Sequence, residues 1–314
     1  MQMQAKKIFS VVVTYNGSKW IRKCLRSLSE SEMATNIIVV DNASADDTVK
    51  IIRNEFPRAE LLESTTNLGF GKANNWGIKR AMDQKADLVF LLNQDAWIEK
   101  DTLAALMRVM DKYSFIGIAS PVHINGGGNA LDQHFYTYLM KSDISDFIHT
   151  RFTGVELKTE WINTRFVNAA AWLITRSCIE NVGGFDPFFF HYGEDRNYAH
   201  RTVYKGFKIA IVPEAKVYHD REQRILQRTK TIPELIRHDF MNLKVDAANI
   251  RRRNINWFVF KRMMRFFLSG FVNLCALNFR SVRYNFSLFF LLLVSYPGII
   301  NCRKRAKLAS FADV

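Results

Sequence analysis

Four short polar clusters carry residue types that can bind a nucleotide, hold a metal ion and move a proton. The first is Val39-Val40-Asp41-Asn42-Ala43-Ser44-Ala45-Asp46-Asp47-Thr48. A carboxylate at the end of an apolar run can accept from a nucleobase N–H or a ribose hydroxyl. The same segment also reads as an ordinary strand–turn–helix corner, with Ser44 capping the helix and Asp47 three residues on in capping-box spacing. The second is Leu91-Leu92-Asn93-Gln94-Asp95-Ala96. One carboxylate there can hold a hard divalent cation, Mg²⁺ or Mn²⁺, that shares its coordination with a pyrophosphate; an Asp that merely ends a strand is the plainer alternative.

The third cluster is Gly183-Gly184-Phe185-Asp186-Pro187, an aromatic run, and then Gly193-Glu194-Asp195. Acids held against an apolar wall gain pKa and become useful bases for a hydroxyl. At a helix N-terminus they also serve the helix dipole. Glu194 is assigned the structural, supporting role and Asp195 the catalytic one. The fourth is Val217-Tyr218-His219-Asp220, where a neutral imidazole can serve a metal, although a lone histidine is often just a satisfied structural group. The stretch Asn67–Gly77 contains Gly69-Phe70-Gly71 but lacks a third glycine at dinucleotide spacing, which excludes a Rossmann fingerprint. It is expected to open a helix beside the donor, with Asn74 or Asn75 offering polar contacts.

These residues need a scaffold that brings them together. Apolar runs at Ile8–Thr14, 36–40 and 86–92 are rich in Val, Ile and Leu, as parallel strands buried on both faces require. Helical patterns at 19–29, 45–55 and 72–85 lie between them, and the alternation predicts an α/β open sheet, mostly parallel and flanked by helices. Ligands of such sheets bind beyond the carboxyl ends of the strands, where Thr14, Tyr15, Asn16, Asp41, Asn42, Asn93 and Asp95 fall. With Asn67, Gly69 and Asn74 from the adjoining loop and helix, they form the candidate donor-nucleotide set, Asp95 being reserved for metal. From Pro121 to about Arg165 the periodicity weakens, which suits an acceptor-facing insertion or a surface excursion. Strand pattern returns at 166–175 and 208–212.

Taken in order, VVVTYNG (11–17), VVDNASADDT (39–48), NLGFGKANNWGI (67–78), LLNQDA (91–96), GGFDPFFFHYGEDRNYAHR (183–201) and VYHD (217–220) resemble the family 2 glycosyltransferases of the GT-A fold, near the bacterial rhamnosyltransferase-like branch. The resemblance covers roughly residues 8–220. It implies an inverting, single-displacement transfer in which Asp41 contacts the donor nucleotide and Asp95 holds metal through the diphosphate. It also implies that Asp195 is the general base and that His219 helps hold metal or diphosphate. Asn93 stands where the family motif has its first Asp, and Asn197 replaces a common second acid.

The chain has 314 residues, 48% hydrophobic and 24% charged, and its net charge of +14 is unevenly spread. Residues 251–314 carry twelve Lys/Arg and one acid, Asp313, so most of the excess lies there. That composition divides the chain into a catalytic domain, 1–250, and a basic, apolar helical extension, 251–314. Tyr284–Cys302 is free of charge and approaches the length of a bilayer span, with Pro297 and Gly298 interrupting it. Interfacial or re-entrant helices on anionic lipid are the expected form, with spanning and packing on the catalytic domain as the other two. Nucleic acid as a partner is disfavoured, because the basic residues are interleaved with Phe and Leu and form no recognisable module. The four cysteines show no metal-ligand or disulfide pattern, and 8–14 is too short for a signal-peptide core. The main body is therefore expected in the cytoplasm, at the inner face of the inner membrane.

The resulting expectation is a metal-dependent transferase moving a sugar from a nucleotide-sugar donor to a lipid-linked glycan of a bacterial surface polysaccharide. By resemblance the donor is dTDP-rhamnose, with UDP-hexoses open. The rival is a catalytically inactive relative serving as a membrane-bound sugar-binding or assembly subunit, which Asn93 keeps in play. A nucleotidyltransferase would need a Gly-rich, basic phosphate loop near the first strand, and none is present.

Overall fold

The computed structural model describes residues 6–154, 160–221 and 231–308. The first half alternates strand and helix: β1 (Ile8–Thr14), α1 (Ile21–Ser29), β2 (Asn36–Asp41), α2 (Thr48–Glu55), β3 (Glu60–Glu63), α3 (Phe70–Asp83) and β4 (Leu88–Asn93). These four strands pair in parallel in the order β3-β2-β1-β4. The uninterrupted apolar runs of β1 and β4 are buried because helices cover both faces. Ile21, Cys24, Leu25 and Leu28 place the buried face of α1 on one side at helical spacing. On the other side, α3 approaches so closely that a Cβ at Gly77 would lie 2.3 Å from Val11 Cγ1.

Next come β5 (Ala96–Ile98), α4 (Thr102–Lys112), β6 (Ile116–Asn125), α5 (Gln133–Leu139), α6 (Ser145–Thr153), β7 (Ile162–Thr164), β8 (Ala171–Thr175), α7 (Arg176–Val182), α8 (Glu194–Tyr204) and β9 (Lys208–His219). The sheet continues as β4-β8-β6-β9-β5, with β7 also on β9. β8 runs antiparallel to both neighbours, so the parallel half predicted from sequence is joined to a mixed half. β6 passes through Pro121, where the pattern weakens, because a register shift against β9 falls between Pro121 and Val122. A proline donates no ladder hydrogen bond, and a bulge is where a sheet tolerates one. That same irregularity lets β9 continue to His219, well past the 208–212 read from sequence.

The expected cap of α2 forms differently. Ser44 Oγ accepts from the Asn16 N–H, and Asp47 makes no side-chain cap bond. Asp46 Oδ1 takes the Thr48 N–H at 3.1 Å instead. Ala43, with φ of 66°, turns the chain so that Ser44 faces the β1 loop rather than the helix.

The last elements are α9 (Ile232–Ala248), α10 (Ile255–Cys275) and α11 (Phe279–Leu308). Thr231 and Glu234 form a capping box at the start of α9. α10 and α11 make a hairpin, and α11 continues through Pro297. Packing is continuous across the compositional boundary at 250/251. Leu243 and Ala247 cluster with Val259, Leu292 and Ile299, while Cys302 is buried with Phe189, Val245 and Ala248. Arg303 donates to the carbonyls of Asn249 and Arg252. The basic residues at the end of α11 thus fasten it to the body, while the helix as a whole is long and apolar enough to cross a membrane by length and composition.

Candidate active site

The carboxyl ends of β1, β2 and β4 meet in one cleft. The register pairs Thr14 with Asp41 and Val13 with Asn93, so sequence-distant strand ends align. Thr14 is buried, and its Oγ1 donates to Gln94 Oε1 at 2.6 Å. The same oxygen accepts the Tyr15 N–H at 2.9 Å, while Gln94 Nε2 donates to the Tyr15 carbonyl at 3.1 Å. This clasp leaves the Tyr15 ring 46% exposed at the rim. Gly17 is required beneath it, since a Cβ there would sit 2.2 Å from Gln94 Oε1. Asn16, in a left-handed conformation, accepts the Ala45 N–H and ties the β1 loop to the β2 loop.

Asp41 is 3% exposed. Its Oδ2 accepts the Ser44 N–H at 3.0 Å, and its Oδ1 is buried without a hydrogen-bond partner among the described residues. A buried carboxylate oxygen left unpaired is costly, and a ligand N–H or hydroxyl would complete it. Asn42 donates to Asn67 Oδ1 and accepts the Leu68 N–H, and Asn67 Oδ1 also takes the Gly69 N–H. Gly69 has φ of 76°, and a Cβ there would meet the Phe190 carbonyl at 2.4 Å. Asn42, Asn67 and Gly69 are thus one hydrogen-bonded wall. Asn74 is buried, and one N–H of its amide donates to the Phe70 carbonyl of its own helix. Asn75 is committed, pairing both ends of its amide with the Phe185 backbone.

β5 pairs antiparallel with β9, matching Ala96 to His219, and the Asp220 N–H donates to the Asp95 carbonyl at 2.9 Å. Asp95 Oδ1 consequently lies 3.2 Å from His219 Nε2, with both side chains buried. Arg221 Nε donates to that same ring nitrogen at 3.2 Å. A guanidinium can only donate, so this bond assigns the proton to Nδ1 and leaves Nε2 a bare acceptor. The Asp95 carboxylate oxygen and the His219 Nε2 thus lie side by side, a pair that a divalent cation could share once Arg221 yields the Nε2 lone pair. Behind the ring, Asp132 Oδ2 is 3.9 Å from both His219 Nδ1 and Arg221 Nε.

Among the described residues no cluster of three or more His, Cys, Asp or Glu forms a closed metal cage. One carboxylate and one imidazole nevertheless suit a hard cation that takes its remaining ligands from a diphosphate and water. Asp132 stands behind the ring at 3.9 Å from Nδ1, beyond hydrogen-bond distance, and its charge faces the imidazole from the side away from Asp95.

The acids of the third cluster open α8 after Gly193, whose φ of 92° makes the turn. The Asp195 carboxylate accepts the main-chain N–H groups of Arg196 and Ala169. Burial raises its pKa, and those two N–H bonds and the Arg196 charge restrain the rise. Ala170, next along, takes the Asn93 N–H on its carbonyl at 2.9 Å. Two adjacent residues therefore tie the end of β4 to the candidate base. Glu194 is 6% exposed, its Oε2 lacks a partner among the described residues, and burial followed by the Asp195 charge pushes its pKa up to about 8.

Asn197 does not face this cleft. It is buried against Cys302 of α11 at 3.7 Å and accepts from Arg201 Nε, whose other nitrogens hold the Val182 and Gly184 carbonyls. Arg305 of α11 reaches Asp186 with two nitrogens, at 2.6 and 3.1 Å. Asp186 also accepts the Phe188 N–H. The end of α11 therefore braces the loop that carries the base.

Gln94, Asp132, Arg221 and Asn168 also belong to this region and were not singled out from sequence. Gln94 lay inside a quoted motif, where its neighbours drew the assignment. Asp132 sits where periodicity fails, and only the β6–β9 register brings it behind His219. Asn168, 6% exposed with both amide ends lacking partners among the described residues, precedes the Ala169–Ala170 tie. A lone Asn before three alanines gives no sequence signal.

Against known proteins, the model of Glycosyl transferase family 2 matches residues 10–183. The chain is 25% identical over 233 residues to the N-acetylglucosaminyl-diphospho-decaprenol L-rhamnosyltransferase of Mycobacterium tuberculosis, covering 67% of this chain and 75% of that one. It is 25% identical over 215 residues to the dTDP-rhamnosyl transferase RfbF of Shigella flexneri, 68% of each. Among solved structures, TarS of S. aureus superposes with a TM-score of 0.55 at 18% identity, over 85% of this chain and 43% of that one, so the chain spans under half of TarS. The mannosyltransferase PcManGT from Pyrobaculum calidifontis, solved with GDP-Man and Mn²⁺, superposes with a TM-score of 0.56 at 17% identity, over 97% of this chain and 74% of that one. At such identities these two likenesses carry the fold, which is GT-A.

Proposed function

The chain belongs to glycosyl transferase family 2, and from that premise we propose that it moves a sugar, with inversion, from a nucleotide-sugar to a lipid-linked glycan. The leading donor is dTDP-rhamnose, supported by the dTDP-rhamnosyl and decaprenol-linked rhamnosyl relatives; a UDP-hexose is the second choice. The place of action is the cytoplasmic face of the inner membrane, with residues 251–314 on the lipid surface. This reading is supported by the apolar faces of α10 and α11 and by a relative named for a decaprenol-linked substrate.

The Asp41 carboxylate and the Asn42–Asn67–Gly69 wall bind the nucleoside, and the exposed Tyr15 ring offers a surface for its base. Asp95 and His219 would hold Mg²⁺ or Mn²⁺, which when bound neutralises charge growing on the diphosphate oxygens. Arg221 stands beside them with a further positive charge. Asp195 accepts the proton of the acceptor hydroxyl as that oxygen bonds to the anomeric carbon and the bond to the diphosphate breaks. Burial raises the Asp195 pKa, which makes it the stronger base that this step calls for. Glu194, pushed up to about 8, is protonated at neutral pH and adds no second negative charge beside it.

The observation that carries the proposal is the Ala169–Ala170 tie, which joins the candidate base to the end of β4 that leads into Asp95. Its test is calorimetry with dTDP and UDP, with and without Mn²⁺ or Mg²⁺, on the wild type and Asp95→Ala. Metal-dependent binding lost in the variant, together with sugar transfer by the wild type, supports the enzyme and identifies the base. Absence of nucleotide binding under every condition overturns it in favour of an inactive relative.

A further inference from the structure

Away from the catalytic cleft, α9 and α11 enclose a groove of about 890 Å³. Phe240 lines one wall and Phe286, Phe290 and Val294 the other, and Arg237 and Arg283 contribute from opposite helices. The two helices are pinned by Tyr284 Oη donating to Asp239 Oδ2 at 2.5 Å. Both arginines are exposed, and neither enters an ion pair among the described residues.

Phe290 and Val294 are 57% and 79% exposed on α11, the one helix among the described residues whose length and apolarity suit a membrane. On α10, packed alongside, Leu268, Phe271 and Val272 are exposed as well. The groove thus opens on the apolar surface of the molecule. An apolar occupant would use the aromatic walls alone, and a soluble anion would use the two exposed guanidinium groups alone. An acyl chain joined to a phosphate answers both, because guanidinium groups bind phosphate oxygens in paired, charge-assisted bonds and basic residues at a membrane surface attract anionic lipid.

We propose that this groove seats one acyl chain of an anionic membrane phospholipid, with its phosphate between Arg237 and Arg283. The proposal rests on the membrane-surface reading above and adds a specific lipid site to it. It also links that site to the chemistry, since Asn242, five residues or about 7.5 Å along α9 from Arg237, bonds Arg196 beside Asp195 at 2.8 Å.

The test uses the full chain with phosphatidylglycerol or phosphatidylcholine vesicles, followed by native mass spectrometry of the extracted protein and, separately, vesicle co-sedimentation. The wild type is expected to retain one phosphatidylglycerol, about tenfold in preference to phosphatidylcholine, equivalent to about 1.4 kcal/mol. Ser287→Trp, which fills the groove, should lose the retained lipid yet still sediment with vesicles. Arg237→Ala combined with Arg283→Ala should lose the headgroup preference, a readout that stands if the tryptophan variant fails to fold. A wild type that sediments with vesicles but retains no lipid overturns the groove and leaves the membrane reading intact. Failure to sediment with any vesicle overturns both. Displacement of phosphatidylglycerol by a small excess of a polyprenyl diphosphate overturns the phospholipid and gives the groove to the acceptor's lipid.

Discussion

His219 Nε2 and Asp95 Oδ1 are 3.2 Å apart, brought together by the antiparallel pairing of β5 with β9. Arg221 donates to the same nitrogen, and Asp132 stands behind the ring. His219→Ala should therefore weaken metal-dependent nucleotide binding and leave metal-free binding unchanged. Asp132→Asn, which touches neither nucleotide nor metal, should lower metal affinity about 10- to 100-fold. Calorimetric titration with Mn²⁺ at fixed nucleotide separates the two effects. Metal dependence of nucleotide binding retained at the wild-type level in both variants would contradict the assigned pair.

Asp195→Asn keeps the volume and the capacity to accept from Ala169 and Arg196 but removes the base. Turnover should fall about 10²- to 10⁴-fold, with donor-nucleotide affinity changed little. Product formation under saturating donor measures the first, and calorimetry the second. A parallel loss of both would mean that Asp195 organises the cleft rather than moving the proton.

Glu194 gives stability a pH signature. Burial raises its pKa from the ordinary 4.5 to about 8 in the folded state. Folding is then favoured with the carboxyl protonated, so this contribution is full below pH 4.5 and lost as the pH rises through about 8. Melting temperature measured across that window should decline in the wild type and decline less in Glu194→Gln, which mimics the protonated form. Identical slopes would show that Glu194 titrates as an ordinary carboxylate.

Arg305 braces the base-bearing loop through Asp186 from a position that is itself half exposed. Screening by solvent limits what such a pair contributes to folding, about 1 kcal/mol or less. Arg305→Ala should therefore lower the melting temperature by no more than a few degrees. Turnover should fall by a larger proportion, at unchanged nucleotide affinity. Arg305→Lys, which keeps the charge and loses the forked contact, should recover only part of the activity. An unaltered turnover in both variants would reduce the contact to a surface ion pair.

The sequence by itself determined the parallel half-sheet and the strand ends that carry Thr14, Asp41 and Asn93. Continuous Val/Ile/Leu runs between amphipathic helices have few other ways to bury themselves, and each run ends where polar residues begin. It also determined that Glu194 and Asp195 open a helix, because glycine, acids and helical periodicity follow in that order. Tertiary structure alone decided which of these ends touch. Asp132 reaches His219, and Ala169 reaches Asp195, through strand pairings whose register is set by a bulge at Pro121 and by the reversal of β8, and local pattern encodes neither. Asn75 makes the same point in reverse: residue type offered Asn74 or Asn75 for polar contacts, and packing commits both ends of the Asn75 amide to the Phe185 backbone. The tail differs again. Its composition announced apolar, basic helices, but only the fit of Cys302 against Asn197 and of Arg305 against Asp186 shows that one end of α11 is part of the catalytic body, because such contacts depend on shape at a distance along the chain.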